Sequence, residues 1–177
     1  MSNGASTGMI ERRRAVLDAG PIIHLDQVGC LDLLEGFGDL LVPDIVWDEA
    51  LRHRPRLLPA NIPGLAVLAV SSAPSPTVLT LARTLDLDAG EIAALILLET
   101  ARGQTFLCDD AAARLAGEAR GYVVHGSIGV IVRAIRRGTR TAAQVRAILQ
   151  ALPERSTLYI DRDLLRSVIA SITSGES

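Results

Sequence analysis

The sequence predicts an α/β protein with a central, mostly parallel sheet and helices on both of its faces, a three-layer α/β/α arrangement. Short apolar runs alternate along the chain with longer segments of helical periodicity, and this alternation is typical of successive strand–helix–strand units. The candidate strands are apolar throughout, as expected where both faces of a sheet are buried. Proline or glycine stands at many of the boundaries between the two kinds of segment.

The first strand is predicted at 15–18, where three apolar residues run into Asp18 and Gly20-Pro21 then turns the chain. The remaining predicted strands are 39–42, 65–70, 105–108 and 122–125. In open parallel sheets, binding sites lie beyond the carboxyl ends of the strands, at the point where the strand order reverses. The residues that directly follow these runs are therefore the first candidates for a site.

Helices are predicted between the strands, and proline opens two of them. Pro21 and Pro43 can each occupy the first turn of a helix, while Gly103 and Gly121 end two others. The predicted helices are 21–34 with an interruption at Gly29, 43–53, 77–85, 89–102, 111–120, 128–137, 141–151 and 162–172, with Pro153 between the last two.

The length of 177 residues suits one domain with a substantial core. We expect a single domain at 14–173, whose C-terminal helices start at about residue 141. Residues 1–13 are expected to form a disordered extension, because the chain starts with small and polar residues.

The composition excludes several chemistries. The chain contains no lysine, so it has neither a phosphate-loop lysine nor a Schiff-base lysine. Its net charge of −2 provides no overall basic field, and any contact with nucleic acid must be local. Cys30 and Cys108 are isolated and no signal peptide is visible, which predicts a cytoplasmic protein. The uncharged stretch 57–82 contains five prolines and glycines, and no membrane span is predicted there.

Three acids stand where predicted strands end. Asp18 ends the first strand, and Asp109 and Asp110 follow another. Taken singly, each is best interpreted as a helix cap, since aspartate is a preferred N-cap residue. If the two strands are neighbours, however, the carboxylates converge at one edge of the sheet.

Two glutamates stand on apolar helix faces. Glu49 shares a face with Ile45 and Val46, where an unpaired charge is costly. It either pairs with a nearby arginine or faces a metal or polar cavity, and the sequence leaves both alternatives open. Glu91 follows Asp88 at the spacing of a capping box, and this segment alone does not decide between a cap and a ligand.

Separated carboxylates of this kind suit a hard divalent cation such as Mg²⁺, which takes oxygen ligands and water and can promote hydrolysis of a phosphodiester. The histidines and cysteines do not cluster as a zinc site would require. His24, His53 and His125 are predicted to be structural or exposed, and both cysteines are predicted to lie in the core.

Five segments, in order and at sensible spacing, resemble the PIN-domain ribonucleases, especially the branch of VapC-type toxins of prokaryotic toxin–antitoxin systems. They are 16-VLDAGPII-23, 42-VPDIVWDEAL-51, 87-LDAGEIAALILL-98, 106-FLCDDAAARLA-116 and 124-VHGSIGVI-131. The resemblance covers residues 14 to about 140 and implies a PIN-like fold.

The resemblance also implies an endoribonuclease that depends on Mg²⁺ or Mn²⁺. Asp18, Glu49, Glu91 and Asp109 match the catalytic, metal-binding acids of the family, and Asp110 could share or replace the fourth. A homodimer neutralised by a small antitoxin protein is implied in the same way.

One position departs from the family pattern. The family commonly has Ser, Thr or Asn two residues after the first acid, where this chain has Gly20. Ser127 could supply a hydroxyl nearby, although capping the next helix is its simpler interpretation. Gly20 favours a second hypothesis, a PIN-like domain that binds RNA or protein without cleaving. A third, a phosphatase with Asp18 as nucleophile, lacks the second aspartate of the usual D-x-D pattern.

Two groups of arginines are candidate phosphate contacts, although a solvated surface is the simpler interpretation of both. The first is Arg52, Arg54, Arg56 and Arg114, and the second is Arg133, Arg136, Arg137 and Arg140.

Overall fold

In the computed structural model, which describes residues 13–174 with side chains to residue 172, five short strands form one sheet. They are β1 (Arg14–Leu17), β2 (Asp39–Pro43), β3 (Leu65–Leu68), β4 (Thr105–Leu107) and β5 (Val123–His125). All four neighbouring pairs are parallel. The predicted disordered extension lies, apart from its last residue, outside the described part of the chain.

The strand order is β3-β2-β1-β4-β5. The chain moves outward from β1 to β3 on one side and then crosses to β4 on the other side of β1. The strand order therefore reverses between β1 and β4, and the crevice beyond their carboxyl ends is where sheets of this kind bind ligands.

Eight α-helices connect and follow the strands of the described region. They are α1 (Ala19–Gln27), α2 (Asp44–His53), α3 (Pro76–Leu85), α4 (Ala89–Thr100), α5 (Ala111–Ala119), α6 (Ser127–Arg136), α7 (Ala142–Arg155) and α8 (Arg162–Ser174). Short 3-10 helices occupy Leu31–Phe37 and Pro59–Asn61. Side chains start several of these helices: Ser75 caps α3, and Thr141 with Gln144 forms a capping box on α7.

The sheet separates two apolar cores. Leu17 packs on the side covered by α1, α2, α6, α7 and α8, whereas its neighbour Val16 packs on the side covered by α3, α4 and α5. Successive strand residues point to opposite faces, and all three last residues of β1 are fully buried because both faces are covered. The predicted three-layer α/β/α fold is confirmed.

One local prediction was wrong and another was confirmed. Pro153 lies in the last turn of α7 and does not separate two helices. In that turn it forfeits only the one hydrogen bond that its missing N–H would have made, and the Ser156 N–H still donates to the Leu152 carbonyl at 2.9 Å. The helix predicted at 21–34 is interrupted at Gly29 as expected: α1 ends at Gln27, and Gly29 has a φ of +71°, which favours glycine. The part after the interruption is a 3-10 helix, Leu31–Phe37.

No helix in the described part of the chain is long and apolar enough to cross a membrane. The uncharged stretch 57–82 instead contributes β3 and most of α3, with loops between them.

Candidate acidic site

The ends of β1 and β4 bring two of the predicted acids, Asp18 and Asp109, to the same edge of the sheet. Asp18 directly follows β1, and Asp109 follows β4 by two residues. The Asp18 N–H donates to the Leu107 carbonyl at 2.9 Å, which holds the two strand ends together. The position is the point of strand-order reversal described above.

A cavity of about 350 Å³ opens at this edge. Glu49 reaches it from α2, Glu91 from α4, and Thr157 from the segment between α7 and α8. All five acids predicted from the sequence line it, and none of the lining residues is an arginine. The full lining set is Asp18, Gly20, Ile23, His24, Glu49, His53, Asp88, Glu91, Asp109, Asp110 and Thr157.

Asp18 is the most deeply placed acid of the cavity. Burial, together with the like charges of Glu49 and Asp88, raises its pKa from 3.8 to about 6, against the opposing effect of a hydrogen bond from the Ala19 backbone. The Cys108 thiol donates weakly to Asp18 Oδ2, at 3.5 Å. Cys108 is fully buried and burial raises its own pKa, so this thiol is a core group, as predicted, and not a nucleophile.

Glu91 and Asp88 form the capping box that their spacing predicts. The Asp88 N–H donates to Glu91 Oε2 at 2.9 Å, and the Glu91 N–H donates to Asp88 Oδ1 at 2.8 Å. Burial raises the pKa of Glu91 to about 7, and the charges of Asp88, Asp110 and Asp18 act in the same direction. Glu91 is therefore both a helix cap and a wall of the acidic cavity.

Glu49 does not pair with a neighbouring arginine. Of the three arginines that follow it at positions 52, 54 and 56, Arg54 instead forms an ion pair with Asp26, and none forms an ion pair with Glu49 in the described region. Glu49 is half-buried and has no hydrogen-bond partner among the described residues. Of the two alternatives left open by the sequence, the structure favours the polar cavity.

Asp109 is the most firmly held acid. Its Oδ1 accepts the Ser127 N–H at 2.7 Å, and its Oδ2 accepts the Ser127 hydroxyl at 2.6 Å and lies 2.8 Å from His24 Nδ1. Burial by itself raises the pKa of Asp109, but the hydrogen bonds from His24 and Ser127 outweigh it and the net pKa is lowered. Because an ionised carboxylate only accepts, His24 Nδ1 carries the proton in this contact.

Two glycines leave room for the Asp109 carboxylate. A Cβ at Gly20 would lie 3.2 Å from Asp109 Oδ2, and a Cβ at Gly126 would lie 2.8 Å from its Oδ1. His24 comes one helical turn after Gly20, so its imidazole approaches Asp109 alongside the space that Gly20 leaves open. Where the chain departs from the family pattern at Gly20, Asp109 therefore receives its hydrogen bonds from His24 and Ser127.

Asp110 acts as a helix cap, as its position before Ala111 indicates. Its Oδ1 accepts the N–H groups of Ala112 and Ala113, at 2.7 and 2.9 Å. This satisfies two of the free donors at the start of α5. Ser127, in contrast, is not the cap of α6, which is Gly126; its hydroxyl donates to Asp109 instead.

The donor set is chemically suited to a hard divalent cation. It consists of carboxylate oxygens in an open cavity, with like charges opposing one another on Asp18 and Glu91. The described side chains do not yet converge, since no three His, Cys, Asp or Glu residues among them lie close enough to hold one ion. A bound cation would have to draw these carboxylates together.

Sequence reasoning missed four polar residues of the cavity. His24 and His53 were interpreted as structural or exposed, Asp88 only as a helix cap, and Thr157 was not considered. The one available signal was that His24 stands one helical turn after Gly20. Thr157 gave no signal, because its position depends on contacts of its N–H and hydroxyl with Gln27, far away in the sequence.

Comparison with known proteins agrees with this architecture. The model of the DUF3368 family, described as a PIN domain, matches residues 14–174. None of the curated proteins compared with the chain matches it. The family match extends from the first residue of β1 to the last residue of α8. The chain therefore belongs to the DUF3368 family of PIN domains.

Proposed function

We propose that this PIN domain is an endoribonuclease that hydrolyses RNA phosphodiester bonds with the help of Mg²⁺ or Mn²⁺. PIN domains are generally nucleases, so a nuclease-type domain is the starting point. The observation that carries the proposal is the gathering of Asp18, Glu49, Glu91 and Asp109 around one open cavity at the reversal of the sheet. No arginine is among the residues that line the cavity.

In this proposal Asp18, Glu49 and Glu91 would hold the cation. Glu49 has no hydrogen-bond partner in the described region, and Glu91 keeps its Oε1 outside the capping contact. The Oδ2 of Asp18 accepts a weak contact from the Cys108 thiol. Asp109 would be the fourth ligand. Its three hydrogen bonds hold the carboxylate in one orientation and leave roughly one of its four lone-pair positions to bind the cation. The cation would polarise the phosphodiester and lower the pKa of attacking water.

Side chains in and beside the cavity would orient these groups. Ser127 and His24 fix the Asp109 carboxylate from two sides. A Cβ at Gly126 would lie 2.8 Å from Asp109 Oδ1 and 3.0 Å from Arg114 Nη1. Arg114 therefore borders the Asp109 side of the cavity, where it would meet a substrate phosphate.

The test is cleavage of single-stranded RNA by the purified protein in EDTA, in Mg²⁺ and in Mn²⁺. We expect cutting only with metal, and its loss in Glu49→Gln and in the double variant Asp18→Asn/Asp109→Asn. Asp48→Asn is the matched control, because Asp48 precedes Glu49 on α2 but is exposed. Metal-dependent cutting that survives in the double variant would contradict the assignment.

A second candidate function is RNA or protein binding without cleavage. It is favoured by the failure of three ligands to converge among the described residues and by the engagement of both Asp109 oxygens. Titration with Mn²⁺, followed by electron paramagnetic resonance, separates the two candidates. Binding that depends on Glu49 supports the nuclease, and the absence of any bound Mn²⁺ at millimolar concentration supports the binding module.

We further propose that the protein is a VapC-like toxin, a homodimer that a small antitoxin neutralises. The support is the resemblance of the five quoted segments to that branch. The test is expression of the protein in bacteria, alone and together with each small protein encoded by a neighbouring gene. Growth arrest that Asp18→Asn abolishes and one of these small proteins relieves is the expected result; unimpaired growth in their absence would contradict the toxin role.

A further inference from the structure

Arginine side chains gather at the edge of the sheet opposite the acidic cavity. Arg13 precedes β1, and Gly36-Phe37 precedes β2, so both stand at the amino ends of strands. Helix α6 starts beyond the carboxyl end of β5 and runs back along the sheet, which brings its last turn to the same amino-end edge. We define the arginine cluster as Arg13, Arg133, Arg136 and Arg137.

Two members of the cluster are held side by side without a carboxylate between them. Arg133 Nη1 and Arg137 Nη1 both donate to the Gly36 carbonyl, at 3.2 and 3.0 Å. The Arg133 guanidinium also lies over the Phe37 ring, with Cζ 4.3 Å from its centroid. A carbonyl and a ring face orient these cations but do not neutralise them.

The backbone at Gly36 is shaped for this arrangement. A Cβ at Gly36 would lie 2.8 Å from Arg137 Nε, so the guanidinium of Arg137 rests directly on the glycine. Two cavities flank the contact, of about 380 and 210 Å³, and both are lined by Gly36, Phe37 and Arg133. Ligand groups can therefore approach Arg133 from two sides.

The positive charge of the cluster is only partly balanced. Asp32 in the larger cavity already pairs with Arg140 at 2.6 Å, which leaves Glu35 there, and Glu35 and Asp39 lie near Arg13. Burial lowers the pKa of Arg133, and the charges of Arg137, Arg13 and Arg136 lower it further. Arg136 is exposed and has no hydrogen-bond partner in the described region.

We propose that the arginine cluster binds backbone phosphates of single-stranded RNA, as a second contact surface remote from the acidic cavity. Guanidinium groups bind phosphate through paired N–H donors, and a chain with an overall net charge of −2 can attract a polyanion only through such a local patch. The choice of RNA as the source of the phosphates rests on the proposed function.

The test measures binding of a fluorescent single-stranded RNA by anisotropy in EDTA, over a range of salt concentrations. Arg136→Ala/Arg137→Ala should lower the affinity for RNA roughly tenfold or more. The slope of the logarithm of the binding constant against the logarithm of the salt concentration should become shallower by about 0.7 for each phosphate that the variant no longer neutralises. The variant should fold, because Arg136 has no hydrogen-bond partner in the described region and Arg133 still bonds to the Gly36 carbonyl; circular dichroism and urea unfolding check this.

The matched control is Arg83→Ala/Arg162→Ala, which removes the same charge from two exposed arginines on α3 and α8. Unchanged RNA affinity in the cluster variant, or an equal loss in the control, overturns the proposal. Calorimetry with inorganic pyrophosphate distinguishes the source of phosphate: cluster-dependent binding of pyrophosphate without binding of RNA also overturns it.

The outcome is separable from that of the proposed function. Binding is measured without metal, so a protein that binds RNA through the cluster but never cleaves it refutes only the nuclease assignment. A protein that cleaves RNA with metal, yet binds it equally well after the cluster is removed, refutes only the role of the arginine cluster.

Discussion

Replacing Asp18 by asparagine should stabilise the metal-free protein at neutral pH. The folded protein raises the pKa of Asp18 from 3.8 to about 6, so between these values the folded state binds more protons than the unfolded state and stability falls as pH rises. At about 1.4 kcal/mol per pKa unit, the charged Asp18 costs up to about 3 kcal/mol above the folded pKa. The asparagine side chain has nearly the same shape as that of aspartate and carries no charge.

The assay is urea unfolding of both proteins in EDTA, at several pH values between about 4 and 7.5. At the upper end, Asp18→Asn should be the more stable protein by up to about 3 kcal/mol. The difference should shrink as pH falls through about 6 and vanish near the ordinary pKa of 3.8. Asp48→Asn, an exposed change, should show no such trend. A variant that is no more stable than the parent at about pH 7.5, or a difference that is constant with pH, would refute this account.

Three further substitutions test local contacts by urea unfolding. Ser127→Ala should destabilise the protein by about 1.5–3 kcal/mol, because it removes a buried hydroxyl donor to the charged Asp109. This loss of stability should diminish at low pH, where Asp109 is protonated. A change within experimental error at neutral pH would contradict this. Asp110→Ala should lower the free energy of unfolding by about 1 kcal/mol, because it removes the two capping hydrogen bonds on α5. The affinity for Mn²⁺ should stay the same; loss of Mn²⁺ binding would show that Asp110 is a metal ligand. Gly117→Ala should cost about 1–3 kcal/mol, because a Cβ there would lie 2.9 Å from Phe106 Cδ1; an unchanged unfolding midpoint would show that the Phe106 ring can move aside.

The local features of this fold could be predicted, because local chemistry determines them. The spacing of Asp88 and Glu91 predicted a capping box, and the position of Asp110 predicted a cap, and both form as expected. The interruption after α1 was also predicted, from the glycine at position 29, whereas the continuation of α7 through Pro153 could not be predicted. In α7, packing of residues such as the fully buried Leu152 outweighs local propensity.

The strand order could not be deduced from any one segment, since it depends on the pairing of β1 with both β2 and β4. That pairing decides which acids meet. Arg54 illustrates the consequence: the sequence places it near Glu49, but the fold gives it Asp26, twenty-eight positions away, as a partner. The expectation that these four acids meet in one site came from the family resemblance and not from the periodicity of the chain.

The two sides of the acidic cavity differ in how firmly they hold their charge, and Gly20 is central to that difference. On the Asp109 side, Ser127 and His24 donate to a carboxylate whose pKa is lowered, so the negative charge is fixed in place. On the Asp18 side, only a weak thiol contact and a backbone hydrogen bond oppose burial, and the pKa is raised to about 6. A hydroxyl side chain at position 20 would begin with a Cβ 3.2 Å from Asp109 Oδ2, in the space beside which His24 now reaches that atom. With glycine at position 20, the His24 imidazole takes the place beside Asp109 that a small polar side chain would occupy. Asp109 therefore keeps a hydrogen-bond donor on that side although position 20 has no side chain.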